Sequence, residues 1–130
     1  MATVLLDTHV VHWRSAEPER LSPSARRALD SADEFVVAST TWFELAWLVR
    51  RERILISLPV RAWLQRLAEN VRTIPITPEI AAAATALPSS FPRDPADRLI
   101  YATAIEHGFH LVSKDRAIRD HGQPGATVIW

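Results

Sequence analysis

The sequence predicts a three-layer α/β/α sandwich in which helices cover both faces of a central, mainly parallel sheet of about five strands. Two observations carry the architecture. Short apolar runs of strand length recur along the chain, and each is followed by a segment of helical length and period, so successive strands need right-handed crossovers. A third observation sets the scale: 130 residues, 48 % apolar and 23 % charged, suit one ordinary globular core. Residues 1–130 are therefore expected to form a single domain. No internal repeat is visible, and Ala81–Ala84 is ordinary helix composition.

Thr3–Leu6 is an apolar run ended by Asp7, a buried first strand that feeds directly into a turn. His9–Arg14 suits a short helix. Ser22 before Pro23 places a good cap ahead of a favoured first helical residue, so Pro23–Ala32 is expected to be helical. Phe35–Ala38 is a second buried strand. Ser39, Thr40 and Thr41 then offer caps for a helix running to about Glu52. Its interior, from Trp42 to Val49, is apolar nearly all round, which predicts a largely buried helix. Val60, Trp63, Leu64, Leu67 and Ala68 recur at helical spacing within Pro59–Asn70. Ile74–Ile76 suits a short strand, and Pro75 within it demands an edge position. Thr77, Pro78 and Glu79 open an alanine-rich helix that Pro88 stops. Pro88–Pro95 holds three prolines and two serines and is the clearest loop. Pro95–His107 is a helix closed by Gly108, His110–Val112 a strand, Asp115–Asp120 a short helix and Thr127–Trp130 a final strand.

Composition excludes several functions. Fifteen basic residues balance fifteen acidic ones, which rules out a polycationic nucleic-acid coat. The absence of cysteine excludes a disulfide framework, a thiolate metal site and a cysteine nucleophile, and suits a reducing cytoplasm. The longest stretch without an acid, lysine or arginine runs from Ile80 to Pro92 and contains two prolines, so no membrane partner is expected. The opening MATVLLD lacks a basic n-region and a full apolar h-region, so no signal peptide is expected. Yet the neutral balance is made unusually: 14 of the 15 basic residues are arginine, and several acids lie inside apolar segments.

Those acids carry the chemistry. Asp7 ends the first strand and is the only acid among residues 1–16. Glu44 is the only charge between Glu34 and Arg50, on a helix rich in aromatics; an ionised carboxylate there is costly unless paired, hydrated or bound to a cation. Asp97 lies in DPADRLIYATA, with Asp94 immediately before its proline, and Asp115 follows the strand HLVS. Each has a plainer reading. Asp94 can cap a helix whose dipole favours Asp97, Asp115 can cap the next helix, and Asp7 can close a turn. Glu44 is the hardest to explain so. Open parallel sheets bind ligands at the carboxyl ends of their strands, and the expected topology points Asp7, Glu44, Asp97 and Asp115 into one crevice there. Gathered carboxylates repel one another unless a cation neutralises them, and oxygen-only ligands favour Mg²⁺, with Mn²⁺ as a substitute.

LLDT at the start, the acid in TTWFEL, DPADRLIYATA and HLVSKD together resemble the PIN-domain ribonucleases, and among these the VapC toxins of type II toxin–antitoxin systems. The resemblance spans Thr3 to Ile129, and DPADRLI is its most specific piece. It implies a PIN-like fold, metal-dependent RNA cleavage and a metal site made by Asp7, Glu44, Asp97 and Asp115. Asp94 matches an auxiliary acid, and Thr8 and Ser113 match the small hydroxyl positions that support the site. His9, where the family often has Asn or Ser, and Ile118, where it often has Phe, depart from the pattern without removing a ligand. The resemblance also implies a homodimer and a cognate VapB-type antitoxin, whose arginine-bearing segment would suit an acidic groove.

An acidic site repels RNA, so local positive charge must supply attraction. Arg93 and Arg98 beside the loop, and Lys114, Arg116 and Arg119 near the last acid, are candidates, as are Arg50, Arg51 and Arg53; all suit solvated helix ends equally well. Arg98 can also pair with a site carboxylate. Phe91 suits base stacking or a packed loop anchor. His9 and His12 lie three apart but lack a third imidazole at zinc-site spacing. Trp13, Trp42, Trp47 and Trp63 are expected in the core or at an interface with another chain. Two other functions compete: a phosphoacceptor or phosphatase on a doubly wound sheet, disfavoured because Thr8 and His9 follow Asp7, and a catalytically silent PIN-like scaffold, disfavoured by the complete acid set. With about five of the 15 acids drawn into one crevice, the remaining surface is expected to be net basic.

Overall fold

The computed structural model describes residues 2–120 and 126–130. Five parallel strands, β1 (Thr3–Leu6), β2 (Glu34–Ala38), β3 (Val71–Ile74), β4 (His110–Val112) and β5 (Val128–Ile129), form one sheet in the order β3-β2-β1-β4-β5. Seven helices connect them among the described residues: α1 (Thr8–Ala16), α2 (Pro23–Ser31), α3 (Thr40–Arg50), α4 (Val60–Leu67), α5 (Pro78–Ala86), α6 (Pro95–His107) and α7 (Arg116–Arg119). A single 3₁₀ turn, Pro18–Arg20, precedes α2. The expected α/β/α sandwich is what forms.

Strand alternation divides the core. Leu5, Val36 and Ala38 face a cluster completed by Ile80, Phe91, Ile100, Tyr101 and Ile118 from α5, α6, α7 and the loop between α5 and α6. Val4, Leu6 and Val37 face the opposite cluster, with Val10, Trp13, Leu29, Leu45 and Trp63. Both faces are covered, which is why the strands read as continuous apolar runs. Local signals set the helix ends. Ser22 Oγ accepts from Ala25 N at 3.1 Å, Thr77 Oγ1 accepts from Ile80 N at 3.2 Å, and Gly108 ends α6 at φ 71°, where a glycine carries no steric penalty. Among the described residues no helix is long and apolar enough to cross a membrane.

Two expectations need correction. The third strand lies ahead of Pro75, at Val71–Ile74, not at Ile74–Ile76. It is an edge strand as expected, and Pro75 terminates it rather than interrupting it, because a residue without an N–H cannot extend the ladder. Nor is α3 largely buried: only Thr41 and Leu45 are fully enclosed, while Phe43 is 69 % and Trp47 49 % exposed. Its contacts reach α1, α4 and α6, so one face is packed and the other is left apolar and open.

Candidate active site

The sheet order reverses direction between β1 and β4, and the chain leaves both strands at the same edge. Asp7 follows β1. Its backbone N–H donates to Val112 O at 3.0 Å, which extends the pairing with β4 by one residue and fixes where the side chain begins. The carboxylate is buried and doubly held: Oδ1 accepts from Thr8 N at 2.7 Å, capping α1, and Oδ2 accepts from Ser113 Oγ at 2.6 Å. Ser113 Oγ in turn accepts from Asp115 N at 3.1 Å, and Asp115 Oδ1 caps α7 through Ala117 N at 2.9 Å. A single hydroxyl thus locks the two strand-end acids to each other.

Glu44 enters from the first turns of α3. Its Oε1 accepts a short hydrogen bond from Thr8 Oγ1, and Thr8 Oγ1 lies 3.2 Å from Thr41 Oγ1. Because Thr8 has one proton and spends it on Glu44, Thr41 must be the donor in the second contact. Asp94 caps α6 by accepting from Ala96 N at 2.8 Å and Asp97 N at 3.2 Å, and so sets Asp97 in the first turn of that helix.

Asp7, Thr8, Glu44, Asp94, Asp97 and Asp115, with His9, Trp13 and Lys114 on the rim, line one cleft of about 360 Å³. Its electrostatics follow from crowding. Burial is the main cause that raises the Asp97 carboxyl, and Asp94, Asp7, Asp115 and Glu44 add to it, so that it titrates at about 7. Burial likewise raises Asp7, opposed by its bonds from Ser113 and Thr8. It raises Glu44 too, against the Thr8 hydroxyl, with Asp7 and Asp94 adding repulsion. Such a site is short of positive charge. Among the described residues no three acidic or histidine side chains already close into a ligand cage. The cleft is an open, all-oxygen lining of the kind that suits a hard divalent cation retaining several waters.

The expected site residues divide clearly. Asp7, Glu44, Asp97, Asp115, Asp94 and Thr8 share the cleft, and Ser113 stands directly behind it. Lys114 lies at the rim with Nζ 5.4 Å from the centre of the Trp13 ring, while Arg93 and Arg116 are exposed nearby on the loop and on α7. Arg98 is neither an RNA contact nor a partner for a site acid. Its guanidinium donates to the carbonyls of Ala84, Leu87, Pro88, Phe91 and Pro92 at 2.9–3.3 Å and lies over the Phe91 ring. Every donor is used in holding the α5–α6 loop. Phe91 is a buried loop anchor packed on Tyr101, so it is not open to a base. Trp13 and Trp63 belong to the core; His9 stacks on Trp13, and His12 pairs with Glu17 at 3.2 Å. The sequence reading assigned Thr41 only a capping role. The visible signal was its place one helical turn before Glu44.

Comparison with known proteins agrees with this geometry. The PIN domain family matches residues 4–123. Over all 130 residues, and the whole length of the relative, the chain is 62 % identical to Ribonuclease VapC22 of Mycobacterium tuberculosis. A toxin–antitoxin complex from Klebsiella pneumoniae contains a chain of the same fold, with a TM-score of 0.71 at 22 % identity, covering 98 % of this chain and 96 % of that one. A DNA-bound VapBC structure from Salmonella typhimurium does so too, at 0.72 and 18 %, covering 98 % and 97 %. With the sheet order, the switch-point acids and a family match over nearly its whole length, the chain belongs to the PIN domain family.

Proposed function

We propose that this protein is a divalent-metal-dependent endoribonuclease of the VapC kind, a toxin held in check by a VapB-type antitoxin in the cytoplasm. The single observation that carries the reading is the convergence of Asp7, Glu44, Asp97 and Asp115 on one switch-point cleft. Full-length identity of 62 % to a protein named as a ribonuclease supports the substrate, and structural neighbours named as toxin–antitoxin and VapBC complexes support the partner.

Asp7 and Asp97 would hold the cation, with Asp115 beside them or joined through water and Glu44 completing the acidic set. Mg²⁺ fits this oxygen lining best and Mn²⁺ would substitute. When bound, it supplies charge neutralisation at the phosphate and a more acidic water. The chain's own residues do the rest. Ser113 and the Thr8 N–H fix both Asp7 oxygens and leave their remaining lone pairs facing the cleft. Among the described residues no hydrogen bond blunts the charge of the Asp97 carboxylate, so it is the acid most responsive to a cation. Glu44, oriented by Thr8, accepts the proton of the attacking water. The water oxygen bonds to phosphorus as the bond to the 3′ oxygen breaks, and that oxygen takes a proton from solvent, leaving a 5′-phosphate and a 3′-hydroxyl. Lys114, Arg93 and Arg116 supply positive charge around the negative centre.

The test is incubation of purified, antitoxin-free protein with total RNA in Mg²⁺, in Mn²⁺ and in EDTA. Cleavage is expected with either metal and not in EDTA, and the Asp7→Ala and Asp97→Asn variants are expected to be inactive. Cleavage that survives EDTA or either substitution overturns the mechanism.

A further inference from the structure

Two hollows share the pair of rings at the mouth of the acidic cleft. His9 and Trp13, four apart on α1, stack with ring centres 5.5 Å apart and planes within 23°. They line the cleft that holds Asp7, Glu44, Asp97 and Asp115. They also line a second hollow, of about 170 Å³, together with Leu48, Ile54, Arg20 and Arg53. The end of α3 contributes its apolar wall. Glu52 takes a left-handed φ of 59°, and the returning chain donates from Arg53 N and Ile54 N to Leu48 O at 2.8 and 3.3 Å. Ile54 and Leu48 thereby join one apolar cluster, while Arg53 stays exposed.

The charge of this second hollow is opposite to that of the cleft. The Arg20 guanidinium lies 5.0 Å from the Trp13 ring centre, and among the described residues Arg53 has no ion-pair partner. Glu17, the acid that lines the hollow, is held by His12 at 3.2 Å and by Arg20 at 3.8 Å. We propose, building on the nuclease reading above, that this hollow is a subsite for single-stranded RNA and takes the unpaired nucleotide next to the phosphate held at the acidic cleft. Its base stacks on the exposed ring of His9, against Leu48 and Ile54, and its outer phosphate is met by Arg20 and Arg53. Every base has a face to stack, so the subsite selects an unpaired nucleotide rather than a sequence. Trp13 already fixes the His9 ring, so little further ordering is needed when a base settles on it. A hollow with two arginines disfavours an arginine-bearing peptide, which suits only the acids, and favours a polyanion that crosses from one hollow to the other.

Fluorescence anisotropy of a labelled, random-sequence pool of short single-stranded RNA tests the subsite by binding, with Ca²⁺ in place of Mg²⁺ to hold the RNA uncut. The controls are a ribose–phosphate chain without bases and an RNA duplex. His9→Ala is expected to weaken binding of the pool about tenfold and to leave both controls unchanged, whereas His9→Phe, which keeps a ring, is expected to bind like wild type. Arg53→Ala is expected to weaken binding of the pool and of the abasic chain, and to lower the salt dependence by about one counterion. Both positions are exposed, and circular dichroism checks that the variants fold. His9→Ala protein that binds the pool as wild type does, or that loses the pool and the abasic chain equally, overturns the proposal. So do substitutions that leave RNA binding intact but relieve inhibition by the antitoxin, which would give the hollow to a protein partner. Cleavage of total RNA in Mg²⁺ is read separately. Its absence from a wild-type protein whose RNA binding depends on His9 rejects the nuclease reading and keeps the subsite; its presence, with binding indifferent to His9, does the reverse.

Discussion

Replacing Asp97 by asparagine should stabilise the metal-free protein at pH 8 while abolishing its activity. The carboxyl titrates at about 7 in the fold, against an ordinary value of 3.8. That gap, at 1.36 kcal/mol per unit, sets an upper bound of about 4 kcal/mol of destabilisation by the ionised group. The side chain is only partly enclosed, so solvent screening cuts this to about 2 kcal/mol. Asparagine keeps the shape but gives up a favourable charge in the first turn of α6, about 0.5–1 kcal/mol, leaving a net gain of about 1 kcal/mol. The sign with pH follows from proton linkage. Below pH 4 the group is protonated in both folded and unfolded chains and costs nothing. Between 4 and 7 the folded chain holds a proton that the unfolded chain has released, so wild-type stability falls as pH rises; above 7 the loss is complete. Urea unfolding in EDTA at pH 4, 6 and 8 reads this directly. The variant should be equal or weaker at pH 4 and stronger by about 1 kcal/mol at pH 8. A variant weaker than wild type at pH 8, or an offset constant with pH, would refute the claim that burial, reinforced by the neighbouring acids, raises the Asp97 carboxyl.

Metal binding should act oppositely, raising the wild-type melting temperature more at pH 8 than at pH 5 and raising the Asp97→Asn variant least; calorimetry with and without millimolar Mg²⁺ measures it. Ser113→Ala leaves a buried Asp7 oxygen without its donor, which should cost about 1–3 kcal/mol in urea unfolding and most of the cleavage rate. Arg98→Ala frees four carbonyls of the α5–α6 loop and that of Ala84 in α5, and should destabilise by about 2–3 kcal/mol, with amide exchange accelerating first around residues 88–93. Thr8→Val should slow cleavage while leaving RNA binding intact, because it removes the donor that orients Glu44 at a buried position and leaves the charged rim of the cleft unchanged.

The strands β1 and β4 and the helix from Pro95 to His107 were legible because two-sided burial and proline or glycine boundaries leave strong local marks. The acids at the ends of those strands were legible for the same reason: a charge that closes an apolar run is conspicuous. β3 was harder, because on an edge strand Arg72 and Thr73 stay exposed and break the apolar run that would have marked it. Helix α3 was misjudged because hydrophobicity all round a helix shows that it needs covering, not that its own chain covers it. Arg98 stands beside two site acids in sequence, yet its side chain is turned back to the loop by a set of carbonyl acceptors that only the folded backbone brings together.

The bond from Ser113 to Asp7 joins residues 106 positions apart, and it sits where the first strand meets the fourth. A chain emerging from the ribosome therefore presents Asp7, Glu44 and Asp97 before it can assemble them, since β1, although it can already pair with β2, lacks β4 on its other side until residues 110–112 have been made and have left the exit tunnel. For a protein proposed to destroy RNA, that order of events is protective. The candidate centre cannot close until β4 has paired with β1, and until then the polysome that produces it faces only an inert precursor.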